Sequence, residues 1–404
     1  MHVHCSLCKK QHFYRDPCPL LFSLAKKQEL AQNAKQDYFG AAPNIFVGRF
    51  GYPHINVGIL NTEQYENNDD YLLWSKDNYS IPQIINLRLA LINSRFQTDI
   101  KSFNHTFTPV SQEISMASQP VDVEINLSKK PDFSRFLRAE QEVSPFGPSV
   151  TLKKARITEN PKIPTAVDKA VSDTDFKAGD ALASLYKKHF DEQYLTKLLS
   201  AGTLGVKLQR KLVPTRWSIT AVDDTLGKNI ADDIKDFSEA DYCAFIGSYF
   251  GNYFIILFFP DVWRYELFET YAGGTTIPRA TIQFTTDFED YTGRKTYAEH
   301  CAGGYYAARL AILEKLKSMK RRASVLALRF ITDEYTAHLG VWVVREAVRK
   351  TLATRPIVFS DKGLMLSFAE KYAAKHFTYP LGELTCASKL LTICSSQRKL
   401  SSFL

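Results

Sequence analysis

Apolar residues recur along this chain in two distinct periods. Helical spacing runs through Leu24-Ala25-Lys26-Lys27-Gln28-Glu29-Leu30. A second helix opens at Ser80-Ile81-Pro82, where Ser80 caps and Pro82 sits in the first turn. Ile84, Leu87 and Leu91 line one face of it, with Ile85, Leu89 and Ile92 beside them, so it is predicted to be mostly buried. Helical patterns follow near 176–201 and from Tyr305 to about Lys320, the latter with Tyr306, Leu310, Leu313 and Leu316 on a core stripe. A further helix carries Val341, Val344, Val348 and Leu352 inward, with Arg345 and Arg349 one turn apart. Strand-like runs lie at Asn44–Phe50, near 241–259 and 277–285, and at Ser324–Phe330.

The longest apolar run, Phe254-Ile255-Ile256-Leu257-Phe258-Phe259, stops at Pro260 and reads as a buried strand, far short of a membrane span. Four prolines make 140–165 a loop-rich crossing, and 376–396 is weakly patterned, as a tether would be. Strands and helices alternate irregularly, which predicts a mixed α/β (α+β) class without requiring a parallel sheet. The expected organisation is an N-terminal module with a lead-in helix over 1–35, one large core over 36–375, and a flexible tail over 376–404.

Composition adds boundaries. With 404 residues and 45% hydrophobic content, the chain has ample material for a core. The net charge of +8, from 51 Lys+Arg against 43 Asp+Glu, suits a nucleic-acid partner without requiring one. Met1-His2-Val3-His4-Cys5 lacks the features of a signal peptide, so a cytoplasmic protein with no membrane partner is expected. Seven cysteines, three of them within the first eighteen residues, do not resemble a disulfide framework. Cys5-Ser6-Leu7-Cys8 is instead a metal knuckle; with His12 and Cys18 it would close a tetrahedral zinc knot of structural type. His2 and His4 are rivals for the fourth position.

Four further segments carry polar residues that a plain core does not need. Gly48–Gly58 offers Arg49 and Asn56 to an anion among three glycines. Ser172-Asp173-Thr174-Asp175 either caps a helix or holds Mg²⁺ or Mn²⁺ through paired carboxylates. In Arg210–Asp224, Trp217 beside Arg216 and Ser218 is either core or a base-stacking platform, and Asp223 and Asp224 could join a metal or pair with Arg216. The fourth combines Gly303-Gly304, an open helix N-terminus suited to phosphate, with Tyr306, Arg309 and Arg345. Arginines on apolar helices imply a buried acid or a bound anion, with Glu266, Glu299 and Glu346 as candidate partners. Nine histidines show no HExxH spacing, and no Ser/His/Asp order stands out.

The last eight residues place Gln397, Leu400, Phe403 and Leu404 at the spacing of a single helical turn, a polar anchor beside an apolar plug. They resemble the PIP box, the peptide by which replication and repair proteins dock on the sliding clamp PCNA. Across nearly its whole length the chain also resembles the archaeal Nre family of DNA repair proteins. The resemblance rests on Cys5-x2-Cys8 with Cys18-Pro19, on Phe46–Pro53 through Asn56-Val57-Gly58, and on Pro145-Phe146-Gly147-Pro148 and Asp173-Thr174-Asp175. It continues in Lys211–Asp224, Gly251-Asn252, Gly303–Leu310, Gly340-Val341-Trp342-x2-Arg345-Glu346 and the terminal peptide. It implies repair of damaged DNA in partnership with PCNA and alongside excision-repair proteins. The N-terminal pattern departs from a four-cysteine form, with His12 in one ligand position. Two functions remain open at this level: a clamp-recruited factor that binds damaged or branched DNA or a nucleotide, and a metal-dependent nuclease or phosphoesterase using Asp173, Asp175, Asp223 and Asp224.

Overall fold

The computed structural model describes residues 2–4, 11–13, 19–133, 145–272 and 284–396. The proposed zinc ligands Cys5, Cys8 and Cys18, the side chain of His12, and the terminal Gln397, Leu400, Phe403 and Leu404 lie outside the described residues. The chain divides into two compact units where the sequence suggested one core: residues 1–225 with 337–339, and residues 226–336 with 340–404. Among the described residues, no helix is long and apolar enough to cross a membrane.

In the first unit a short pair, β1 (His2–His4) and β2 (Gln11–Phe13), precedes the helix Pro19–Asn33. A closed five-stranded barrel follows: β3 (Asp37–Val47), β4 (His54–Thr62), β5 (Ile92–Asp99), β6 (Val121–Leu127) and β7 (Ser149–Ile157), in the order β3-β4-β5-β7-β6. β5 and β7 run parallel, and every other pair is antiparallel. The eleven-residue β3 is long enough to pair with β6 through its first half and β4 through its second, with a bulge between Ala41 and Asn44. Such a bulge bends a strand, as closure of so small a barrel demands. Alternation does the rest: Ile45, Val47, Ile55, Val57, Ile59, Val121, Val123 and Ile125 all point into one buried cluster. The helix Thr108–Met116, between β5 and β6, adds buried Ile114 to that cluster. Read from β3, the barrel order is 1-2-3-5-4 with a helix between its third and fourth strands. That is the Greek-key connectivity of the OB barrel.

The second unit centres on a six-stranded sheet. Besides the small pair β8 (Ser238–Glu239) and β13 (Arg321–Arg322), its strands are β9 (Cys243–Tyr249), β10 (Asn252–Phe259), β11 (Arg264–Tyr271), β12 (Phe284–Glu289), β14 (Ser324–Ile331) and β15 (Ile357–Val358). Their order is β12-β11-β14-β10-β9-β15, with only β11 and β14 parallel. The apolar run Phe254–Phe259 is buried as expected, because β10 is central and both sheet faces are covered. The helix Trp342–Ala353 packs on β9 and β10 and against the helix Ala302–Met319. Met365, Ala369 and Ala373 of the helix Lys362–Phe377 belong to an apolar cluster with β10 and β14 side chains. The β9–β10 hairpin turns at Phe250-Gly251, both at positive φ; a Cβ on Gly251 would lie 2.5 Å from the Tyr335 nitrogen.

The tether expected over 376–396 is corrected by the structure. Residues Gly382–Ala387 and Lys389–Ser396 are helices, and Leu384 and Leu390 are fully buried in the sheet cluster. Helices this short have too few turns to display a readable period.

Candidate functional site

The sequence-predicted binding residues divide between the units: Arg49, Asn56, Arg216, Trp217 and Ser218 in the first, Tyr306, Arg309 and Arg345 in the second. In the first, the barrel brings two of the four segments together. Arg49 lies in the six-residue loop joining β3 to β4, and Asn56 stands on β4. The Val47 N–H donates to Thr215 Oγ1 at 2.9 Å, which pins the start of the helix Thr215–Asp233 to the end of β3. Trp217, in the first turn of that helix, then meets the Tyr52 ring at 5.2 Å. Arg49, Arg216 and Trp217 are exposed, so Trp217 is no core residue. Ser218 differs: its hydroxyl is buried and donates to the Val213 carbonyl at 3.4 Å.

The loop itself is held by backbone hydrogen bonds. Gly48 N–H reaches Asn56 O at 2.8 Å, and His54 N–H reaches Gly51 O at 2.8 Å. Gly51 sits at φ +83°, where a Cβ would come 2.6 Å from the His54 carbonyl, so glycine is required there. Beyond the loop, the register pairs Asn56 with Gln97 and Gly58 with Arg95. Arg95 and Gln97 are exposed, so the outer face of β4 and β5 continues the polar surface from the loop.

Asp173 neither caps the following helix nor joins a metal cluster. Its Oδ1 accepts the backbone N–H groups of Asp175 and Phe176 at 3.0 and 3.1 Å, an exposed turn, while Arg210 reaches its carbonyl. Asp223 is buried and Asp224 half-buried. Among the described residues, no group of three or more His, Cys, Asp or Glu side chains is placed to hold a metal ion.

Sequence reasoning missed a part-buried polar cluster in the first unit. Asp69 Oδ2 accepts from Asn44 Nδ2 at 2.5 Å and from Gln193 Nε2 at 3.5 Å. Burial raises its pKa to about 6, against the pull of Asn44, Arg88 and Lys197. Lys197 donates to the Ala117 carbonyl at 2.7 Å and lies over the Tyr194 ring; burial lowers its pKa to about 8. A raised carboxyl pKa means that ionisation costs the native state more than the unfolded one. This cost grows as pH rises from 3.8 to about 6 and is fully present above that. Asp69→Asn, whose amide oxygen can take the place of Oδ2, is therefore expected to stabilise the fold at pH 7.5 by about 2 kcal/mol and to be near neutral at pH 4. Melting curves at the two pH values measure the difference, and a less stable variant at pH 7.5 would contradict it.

In the second unit the fourth segment is occupied from within. Arg309 is 1% exposed and paired at 3.0 Å with Glu289, itself 2% exposed, rather than with Glu266, Glu299 or Glu346. Glu346 pairs instead with Arg349, which also holds Glu314. Tyr306 is buried, and its hydroxyl accepts the Ala298 N–H at 2.9 Å. Arg345 is buried within its helix. The helix N-terminus expected to meet phosphate is already served by a carboxylate: Asp287 accepts the N–H groups of His300 and Cys301 at 2.9 and 2.7 Å. Gly303 and Gly304 are there for close packing, since Cβ atoms would meet Val341 at 2.9 Å and Glu269 at 2.7 Å. A cleft of about 350 Å³ opens beside Arg309, lined among others by Lys228, Lys235, Trp263, Tyr291 and Arg294. Trp263 and Glu289 were invisible as site residues because they fall outside every polar motif.

This is a two-unit α/β protein whose first unit presents an OB-connected barrel with a basic and aromatic loop. The model of the N-terminal region of archaeal Nre matches residues 8–277, and that of its C-terminal region matches residues 289–403. The chain belongs to the archaeal Nre family. It is 36% identical to DNA repair protein NreA of Haloferax volcanii over 77% of each chain. It is 35% identical to DNA repair protein NreB of Archaeoglobus fulgidus over 89% of this chain and 90% of that one. NreA of the same organism is 37% identical over 89% and 91%. No solved structure matches.

Proposed function

We propose that this chain is a cytoplasmic DNA repair factor delivered to DNA by the PCNA sliding clamp. Its Gln397–Leu404 peptide is the hook and its barrel the surface that meets damaged or branched DNA. The observation that carries the DNA-contacting half is the OB connectivity of the barrel, with Arg49 in the loop between its first two strands and Asn56 on the outer face. That loop and the face of the second and third strands are where such barrels bind oligonucleotides. The net charge of +8 and the repair designation of the relatives point the same way. Tethering to a ring that encircles duplex raises the effective concentration of a modest DNA binder.

Truncation after Ser396 tests the hook. The helix Lys389–Ser396 would be kept, so the truncated chain is expected to melt as the full chain does and to lose measurable binding to PCNA in calorimetry. Clamp affinity unchanged by the truncation would eliminate this mode of delivery.

The same reading gives Cys5, Cys8, His12 and Cys18 a structural Zn²⁺, supported by the knuckle spacing and the soft donor set. Elemental analysis is expected to find one zinc per chain, lost in Cys5→Ser/Cys8→Ser. Full zinc retention in that variant would refute the assignment. The metal-dependent nuclease reading has no comparable support, since Asp173 is engaged in a turn and Asp223 is buried.

A further inference from the structure

We propose that Phe50, Tyr52 and Trp217, flanked by Arg49 and Arg216, form a platform on which unpaired bases of single-stranded DNA stack. This deepens the reading of the barrel as the DNA-contacting part and rests on it. Phe50 is 79% exposed, Trp217 45% and Tyr52 42%. Single exposed rings are ordinary on protein surfaces. Here Tyr52 and Trp217 are in contact, and the Arg49 guanidinium lies over the Phe50 ring at 5.2 Å. The rings are gathered at one loop and one helix start.

Three features make this a prepared surface and not a loose one. The loop that carries Phe50 and Tyr52 is braced internally, and the Ile100 N–H also donates to Pro53 O at 3.1 Å. The Val47–Thr215 hydrogen bond sets Trp217 against it. Little ordering is therefore left to be done on binding. Next to the rings, Asn56, Gln97 and Arg95 run along the outer face of β4 and β5 and supply donors and a cation. Asp99, 3.6 Å from His54, is an acid on the same face.

The chemistry selects the partner. Guanidinium groups beside exposed rings match a strand in which phosphates alternate with bases, the rings taking the base faces and the arginines the charge. A duplex buries its base faces in its own stack and offers only phosphates and groove edges. The platform therefore distinguishes unpaired DNA from duplex, as a repair factor must where strands are gapped or frayed.

Anisotropy titrations of the full chain with a fluorescent oligothymidine of ~15 nucleotides, and with a duplex of equal length at the same salt, test it. The single strand is expected to bind more tightly than the duplex. Phe50→Ala/Trp217→Ala should weaken single-strand binding by roughly a hundredfold, about tenfold for each ring. Duplex binding and the melting profile should change little, because both rings face solvent. If the double variant melts abnormally, Phe50→Ala alone, at the most exposed ring, replaces it with an expected loss of about tenfold. Wild-type affinity for the single strand in these variants overturns the platform and leaves the DNA-binding reading of the barrel standing. Duplex bound as tightly as single strand also overturns the platform alone. A full chain that binds neither overturns both.

Discussion

Glu289→Ala is expected to lower stability by about 3–5 kcal/mol, enough to unfold the second unit in many solution conditions. The carboxylate is a hub: Oε1 accepts from Arg309 Nε at 3.0 Å and from Trp263 Nε1 at 2.8 Å, and Oε2 from the Tyr305 hydroxyl at 3.3 Å. Alanine would take this carboxylate from an Arg309 guanidinium that is 1% exposed, and remove the acceptor of the Trp263 and Tyr305 donors as well. What the pair itself contributes is a separate matter, because both ions were desolvated to form it. Glu289→Gln/Arg309→Met, which removes both charges at similar volume, is accordingly expected to recover most of the loss. Urea titrations of the three proteins measure this. A single-variant loss below about 1 kcal/mol would mean that water reaches the guanidinium through the adjoining cleft.

Glu266→Ala is expected to cost about 3 kcal/mol and to release the C-terminal helices. Glu266 is fully buried on β11, and among the described residues no arginine pairs with it. It accepts the Ser388 hydroxyl at 2.5 Å and the N–H groups of Lys389 and Leu390 at 3.1 and 3.0 Å, so a buried carboxylate sits at the N-terminus of the last helix. Hydrogen bonds to helix-terminal amides and the helix dipole both favour a negative charge there. Without it, buried donors at the helix start lose their acceptor, and Leu384, Leu390 and Leu391 lose the anchor that seats them on the sheet. Limited proteolysis is the direct readout. New cleavage within 376–396 is expected in the variant, and an unchanged digestion pattern would remove this role. The position bears on the proposed clamp docking, since this helix ends at Ser396, where the proposed hook begins.

How far the fold was legible depended on how local its causes are. The helix at Ile81–Ala90 was readable because its signals lie within four residues: Ser80 and Gln83 form a capping box, and Pro82 stands in the first turn. β10 was readable because six consecutive apolar residues between a turn and a proline have few alternatives. The barrel was not. β5, β6 and β7 alternate over only seven to nine residues each, and their outward positions, such as Arg95, Gln97 and Glu124, look like loop. Their closure depends on a parallel pairing of Asn93–Arg95 with Ser149–Thr151, more than fifty residues away. Of the candidate site, Arg49, Asn56, Arg216 and Trp217 were named from residue type, yet the rings of Phe50 and Tyr52 were passed over, because exposure is not a property of a sequence.

The sequence by itself determined which family this chain belongs to, its mixed α/β character and several of its elements, such as the helices Ile81–Ala90 and Ala302–Met319 and the strand Asn252–Phe259. It also presented Arg309 as an arginine in need of an anion. Those conclusions rest on short-range patterns that survive any arrangement of the elements. Only the tertiary structure decided that the anion is Glu289, that Asp287 already occupies the helix terminus, and that Trp217 lies beside Tyr52 in the open. It alone showed that Tyr379, Leu381, Leu384, Leu390 and Leu391 belong to the core. Each of these is a pairing between groups far apart along the chain, set by barrel closure and sheet order, and the energy that selects it exists only once both partners have left water together.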